Sequence, residues 1–329
     1  MKIIVTGGAG FIASHFVEHV LKNTFWDIVI LDKLTYASSG FDRLREIGAY
    51  DNPRVKLYPV DLTKPMGECL EREIGNVDFI VHMAAETHVD NSISGPRVFV
   101  EANVLGTFEI LEYARRAPGL QKMIYFSTDE VFGPAPGTSV FKEWDRYNST
   151  NPYSATKAAG EELCLAWANT YKVPVVITHT MNAFGERQHP EKFVPKVVRS
   201  VLTGEKVSIH ASHDRLVSGS RFYIHCRNIA AATLFLLMNG TPRDKYNIVG
   251  EREVSNLVLA QAIAAIVGKP LHYEMVDFHS SRPGHDLRYG LDGTKLRVMG
   301  WQPPKNFEES LEKSVRWMLR AENKRWITV

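Results

Sequence analysis

Short apolar runs alternate with longer helix-like stretches over the first two-thirds of the chain, and this rhythm constrains the fold more than any other feature. "KIIVTG", "DIVILD", "RVKLYPVD", "VDFIVHMAA", "KMIYFST" and "VPVVITHT" are apolar almost throughout, as strands buried on both faces must be. Between them lie segments such as "FIASHFVEHVLKN" and "RVFVEANVLGTFEILEYARR". Such alternation predicts an α/β fold, a parallel doubly wound sheet with right-handed crossovers. After Thr180 the rhythm breaks, and helical periodicity returns at "RNIAAATLFLLMN", "SNLVLAQAIAAIVG" and "NFEESLEKSVRWMLRAENK". The expected division is 1–180 for the sheet, with a segment near 224–250 returning to it, and 181–329 for a smaller α/β region that caps it.

The first strand runs into "TGGAGFIA", which puts Gly7, Gly8 and Gly10 at the head of a helix. Missing side chains let the backbone approach a pyrophosphate, and the helix N-terminus supplies oriented N–H groups. Asp32 closes the next strand, where a carboxylate accepts the adenosine ribose hydroxyls. A Rossmann-type unit that binds NAD is the expectation. An acid at 32 disfavours the 2′-phosphate of NADP, although Lys33 beside it weakens that inference. Ala13 stands where a third glycine is usual and adds one methyl.

"NPYSATKAAGEE" places Tyr153 and Lys157 on one face of a helix that begins near Pro152. A phenol is a poor base at neutral pH. A neighbouring ammonium, helped by an oxidised nicotinamide, is expected to lower its pKa. The strand end "FSTDEVFG" sets two carboxylic acids, Asp129 and Glu130, side by side. A turn alone would accommodate them, but a site that needs two acids would explain them.

Charge and cysteines narrow the class. Lysine plus arginine number 39 against 37 aspartate plus glutamate, a formal charge of +2, which leaves no nucleic-acid or membrane-surface footprint. Cys69, Cys164 and Cys226 form no C-x-x-C, so free thiols in a reducing compartment are expected. The chain opens directly on a strand, which leaves no room for a signal peptide. Its apolar run "AAATLFLLM" is too short to span a bilayer. A cytoplasmic protein is the expectation.

Taken together, "VTGGAGFIASHF", "LDKLTYAS", "HMAAETHVDNSI", "FSTDEVFG", "NPYSATKA", "HPEKFVPKVV" and "SRPGHDLRYGLD" resemble the extended short-chain dehydrogenase/reductases. Among these they are most similar to the nucleotide-sugar 4,6-dehydratases acting on dTDP-glucose. The resemblance implies that Thr128, Asp129, Glu130, Tyr153 and Lys157 are catalytic. Tyr153 would take the proton of the sugar 4-hydroxyl, Glu130 the C5 proton, and Asp129 would protonate the departing 6-hydroxyl. Thr128 would hydrogen-bond the sugar near C4. One acid must then be charged and the other protonated. By the same resemblance Gly7, Gly10, Phe11, Ile12, Asp32, Lys33, Thr35, Asp61, Leu62, Ala84 and Ala85, with Tyr153 and Lys157, would hold NAD. Glu86, Asn182, Lys192, Phe193, Arg221, Asn256, Arg282 and His285 would hold the nucleotide sugar. A homodimer through a four-helix bundle is also implied.

The chain departs from the family where the nucleotide binds. "NAFGE" replaces the usual "NNYGP", and "VSIHASHD" replaces a "PIYG" stretch, so dTDP, UDP and other carriers stay open, as does UDP-N-acetylglucosamine. His210-x-x-His213 with Asp214 has a spacing compatible with a metal, but the inferred chemistry needs none and no metal is expected. The rivals are an epimerase or decarboxylase of the same fold, which lacks the acid pair, and a non-catalytic NAD-binding regulatory protein. His82 and His88 are expected to serve the cofactor loop and the fold, and Trp144, Trp301 and Trp326 to be packing anchors.

Overall fold

The computed structural model describes residues 1–278 and 287–328. At its centre lies a seven-stranded sheet of β1 (Lys2–Thr6), β2 (Asp27–Asp32), β3 (Val55–Pro59), β4 (Phe79–His82), β5 (Lys122–Thr128), β6 (Val175–Thr180) and the strand Lys245–Ile248. Across the sheet the order is Lys245–Ile248, β6, β5, β4, β1, β2, β3, and every pairing is parallel. The doubly wound sheet expected from the sequence is present. The chain builds outward from β1 to β3, then crosses back to place β4 on the other side of β1. At that reversal the loops leaving β1 and β4 diverge and open a crevice beyond the strand ends.

Successive residues of β1 point to opposite faces. Ile3 and Val5 pack with Phe16, Val17 and Val20 of α1 (Phe11–Asn23) and with Ile229 and Leu236 of the helix Cys226–Asn239. Ile4 packs on the other face against Ile110 and Leu111 of the helix Gly106–Arg116. A separate cluster gathers Val197, Ile263 and Val315 from the helices Phe193–Thr203, Asn256–Val267 and Phe307–Met318. It forms the core of the smaller C-terminal region. Leu296 and Trp301 join the sheet's own core instead.

Several local expectations need correction. β3 is not buried on both faces; it is one of the sheet's two edge strands, with Lys56 and Pro59 exposed. The stretch 97–116 is not one regular helix, because a π-helical turn, Val100–Leu105, separates Pro96–Phe99 from Gly106–Arg116. Its Asn103 is 1% exposed and explains the extra residue in the turn. The Asn103 amide donates to the Glu86 carbonyl (3.0 Å) and to Thr156 Oγ1 (3.0 Å), and its Oδ1 accepts from Glu86 N (2.8 Å). The helix expected over 306–324 ends at Met318, and a 3-10 segment, Ala321–Trp326, follows. Trp144 is 58% exposed and is no packing anchor; its indole meets Asp244 and the Lys245 ammonium. Trp301 and Trp326 are buried.

Candidate active site

The crevice is a cleft of about 1020 Å³. Every cofactor, catalytic and substrate residue named from the sequence lines it, apart from Arg282 and His285, which lie outside the described residues.

At its sheet-side wall the glycine turn is shaped by close approaches. Gly7 has φ 68°, and a Cβ there would stand 2.8 Å from the Ala84 Cα, so the loops after β1 and β4 can meet only over a glycine. A Cβ on Gly10 would stand 2.9 Å from the Gly7 carbonyl oxygen. The N-terminus of α1 has no side-chain cap, which leaves its first N–H groups to an anion. This cradle fits a dinucleotide pyrophosphate. Asp32, 7% exposed, accepts from Ala9 N (2.9 Å) and Leu34 N (2.7 Å). Burial pushes its pKa up, and these two N–H groups hold it back. The Lys33 ammonium turns away to Asp61, 2.8 Å distant, so it does not neutralise Asp32 directly.

β5 carries the acid pair to the cleft. Its last residue, Thr128, accepts from Glu130 N (3.3 Å) and donates to Asp129 Oδ1 (3.0 Å), which turns the chain into the 3-10 segment Asp129–Phe132. Asn151 caps the helix Pro152–Thr170 by accepting from Ser154 N (2.9 Å). Its amide donates to Glu130 Oε2 (3.1 Å). One cap thus starts the helix that carries Tyr153 and Lys157 and also holds the second acid.

The protonation states follow from this crowding. Burial raises Asp129 to about 6, opposed by the Arg221 charge and the Thr128 hydroxyl. Burial, then the Asp129 charge, raises Glu130 to about 7. Both carboxyls are thus held well above the ordinary carboxylate range, so the pair can carry a proton where exposed acids are ionised. The Arg221 charge opposes the rise in both, with Thr128 donating to Asp129 and Asn151 to Glu130. Asp129 Oδ2 is buried without a hydrogen-bond partner among the described residues.

The Tyr153 phenol is also pushed up, by burial first and then by Glu130 and Asp129, while the Thr128 hydroxyl opposes. The Lys157 ammonium lies 4.3 Å over the ring of Tyr125, and the lowering expected for the phenol belongs to the site with an oxidised nicotinamide beside it. Burial brings Lys157 itself down to about 8, with Glu161 opposing.

Glu161, one turn beyond Lys157, was not read as a site residue. Its carboxylate is fully buried and accepts from Ser127, Tyr147 and His179 (3.1 Å), with Lys245 at 3.3 Å. Only its place in "YSATKAAGE", two turns after Tyr153 on the same helix face, hinted at it. Arg221, also in the cleft lining, lies over the ring of Tyr289 at 4.5 Å and donates to the carbonyls of Ser220 and Leu287. Asn256 Oδ1 accepts from the Tyr223 hydroxyl (2.6 Å).

The metal spacing of the sequence does not assemble. His210 lines the cleft, His213 faces Asp277 (3.0 Å), and Asp214 accepts from Leu216 N. Among the described residues the clustered donors are His15, Glu186 and Cys226. Arg227 Nη1 donates to Glu186 Oε1 (2.8 Å), and Arg187 Nη2 lies 3.2 Å from His15 Nδ1. With two arginines in place, that cluster reads as a buried ion network.

Comparison with known proteins adds to this geometry. The model of the NAD dependent epimerase/dehydratase family matches residues 3–249. The dTDP-glucose 4,6-dehydratase of Escherichia coli is 35% identical over 99% of this chain and 94% of its own length. The low-salt glycan biosynthesis protein Agl12 of Haloferax volcanii is 38% identical over 97% of this chain and 99% of its own. The dTDP-glucose 4,6-dehydratase DesIV of Streptomyces venezuelae, crystallised with NAD and a TDP ligand, aligns with a TM-score of 0.88. It is 34% identical, over 99% of this chain and 98% of that one.

Proposed function

The chain belongs to the NAD-dependent epimerase/dehydratase family, and within it we propose an NAD-dependent nucleotide-sugar 4,6-dehydratase that turns an NDP-hexose into its 4-keto-6-deoxy sugar. The observation that carries the choice is the buried pair Asp129 and Glu130 opening on the same cleft as Tyr153 and Lys157. An epimerase has no use for two more acids. Removing water across C5 and C6 needs one base and one acid.

Gly7, Gly10, Phe11 and Ile12 would hold the NAD pyrophosphate, Asp32 the ribose, and Asp61 and Leu62 the adenine. Bound NAD supplies a reversible two-electron acceptor for C4 oxidation and C6 reduction. Tyr153 takes the proton of the 4-hydroxyl as C4 is oxidised, with Lys157 stabilising the charge nearby. The 4-ketone acidifies C5, and Glu130 removes that proton. Asp129 protonates the 6-hydroxyl, whose C–O bond breaks to release water. Reduction at C6 and return of the proton to C5 complete the product. Arg221, Asn182, Lys192, Phe193, Asn256 and Glu86 would position the sugar and diphosphate.

dTDP-glucose is the first substrate to test, since the Escherichia coli relative named above acts on it by name. The expected assembly is a homodimer. No helix among the described residues is long and apolar enough to cross a membrane, and the three cysteines are free, in keeping with a cytoplasmic enzyme. The deciding experiment incubates the protein with dTDP-, UDP-, CDP- and GDP-sugars and follows mass. Loss of one water from one substrate supports the proposal. Epimerisation without mass loss, or an inert panel, would reject it.

A further inference from the structure

Arg43 lies in the short helix Asp42–Glu46, outside every motif of the sequence, and is fully buried with no carboxylate bonded to it among the described residues. Its guanidinium bonds backbone carbonyls instead. Nε donates to the Arg187 carbonyl (2.9 Å), and Nη1 is shared among those of Ala37 (2.7 Å), Ser38 (2.7 Å) and Ala9 (3.3 Å). Nη2 has no hydrogen-bond partner among the described residues.

These carbonyls belong to separate walls of one cleft. Ala9 sits inside the glycine turn, and Ala37 and Ser38 follow Asp32 on the adenosine side. Arg187 lies on the segment after β6 that leads to Lys192. The backbone they brace is unusual: Ser39 has φ 53°, Gly40 φ 60° and Arg187 φ 64°. Left-handed residues other than glycine cost energy and persist only where neighbours hold them. The outer side of the guanidinium is closed by the Trp326 ring at 4.8 Å. That indole donates to Glu46 Oε1 (3.0 Å), and Arg325 pairs with Asp42 and Glu46. The end of the chain is thereby strapped across the helix that carries Arg43.

We infer that Arg43 is a positioning residue for NAD, and that Ala321–Trp326 is the outer half of the same clamp. Arg43 acts through the three loops it joins. The Trp326 face keeps water from competing for its bonds, which a charged donor makes strong only when they are sheltered. The inference rests on the cofactor assignment and not on which sugar nucleotide is used.

The test follows exchange of enzyme-bound NAD with isotope-labelled NAD, in the absence of sugar. Arg43→Met and Trp326→Ala should each speed exchange about tenfold, the scale of losing one sheltered charged hydrogen bond. Trp326→Phe, which keeps an aromatic face, should stay near wild type. At saturating NAD, the KM for the sugar nucleotide should be unchanged. Wild-type exchange in folded Arg43→Met, or in Trp326→Ala, overturns the inference. So does an equal rise in sugar-nucleotide KM, which would mark general loosening. If Arg43→Met does not fold, Trp326→Ala decides alone, because it leaves every guanidinium bond in place. A wild-type protein that dehydrates no sugar nucleotide, with NAD exchange still faster in both variants, would count against the proposed function and leave this inference standing.

Discussion

Replacing Asp129 with asparagine should make Glu130 a base at lower pH, and the shift can be worked from the site. Glu130 stands at about 7 against an ordinary 4.5, with burial the larger cause and the Asp129 charge the next. Asparagine removes the charge and leaves the burial, so less than half of that rise should disappear. The expected Glu130 value in the variant is roughly 6. Exchange of the sugar C5 proton with solvent deuterium reads this base directly, since it requires ionised Glu130 and does not need the acid that expels water. In wild type, exchange should be half-maximal near pH 7 and fall as Glu130 takes up its proton. At pH 6 about one-tenth of wild-type Glu130 would be ionised against roughly half in the variant, about a fivefold faster exchange per site. Above pH 8 the two should converge. A midpoint that stays at 7 or moves upward would refute the assigned coupling, and exchange independent of pH would remove Glu130 as the base.

The other expectations are simpler. Tyr153→Phe should abolish C4 oxidation, whereas Glu130→Gln should permit it and block C5 exchange. Each should lower turnover by about a hundredfold or more, resolved by nicotinamide absorbance and by deuterium uptake. Asp32→Ala should release NAD on gel filtration that wild type retains; unchanged retention would discard its ribose role. Glu161→Gln should destabilise the fold by about 3–5 kcal/mol in denaturant titration, because it leaves Lys245 buried without its counter-charge. Adding Lys245→Met should recover part of that loss, and simple additivity would disprove the pairing. Light scattering at micromolar concentration should give a dimer, since Val98, Val100 and Leu105 expose apolar surface on one helical stretch; a monomer would reject it.

The sheet, the glycine turn with Asp32, and the placement of Tyr153 and Lys157 on one helix face lining the cleft were legible in the sequence because each is local. A strand buried on both faces must be apolar, a close backbone approach must be glycine, and residues four apart share a helix face. Those rules act within one element and need no knowledge of its neighbours. The roles proposed for Asp129 and Glu130 come from the resemblance, carried by the same local strings. Only the tertiary structure decided what those groups meet. Trp144 is exposed and β3 forms an edge because of where the strand order ends. Asn103 leaves the regular helix to hold Glu86, and Glu161 collects His179 and Lys245 from two other strands. The raised pKa of both acids follows from their shared burial, and the Arg43 clamp closes with Trp326 from the C-terminal region. Charge and burial act through space, so protonation states and long-range supports emerge only once distant segments are packed together.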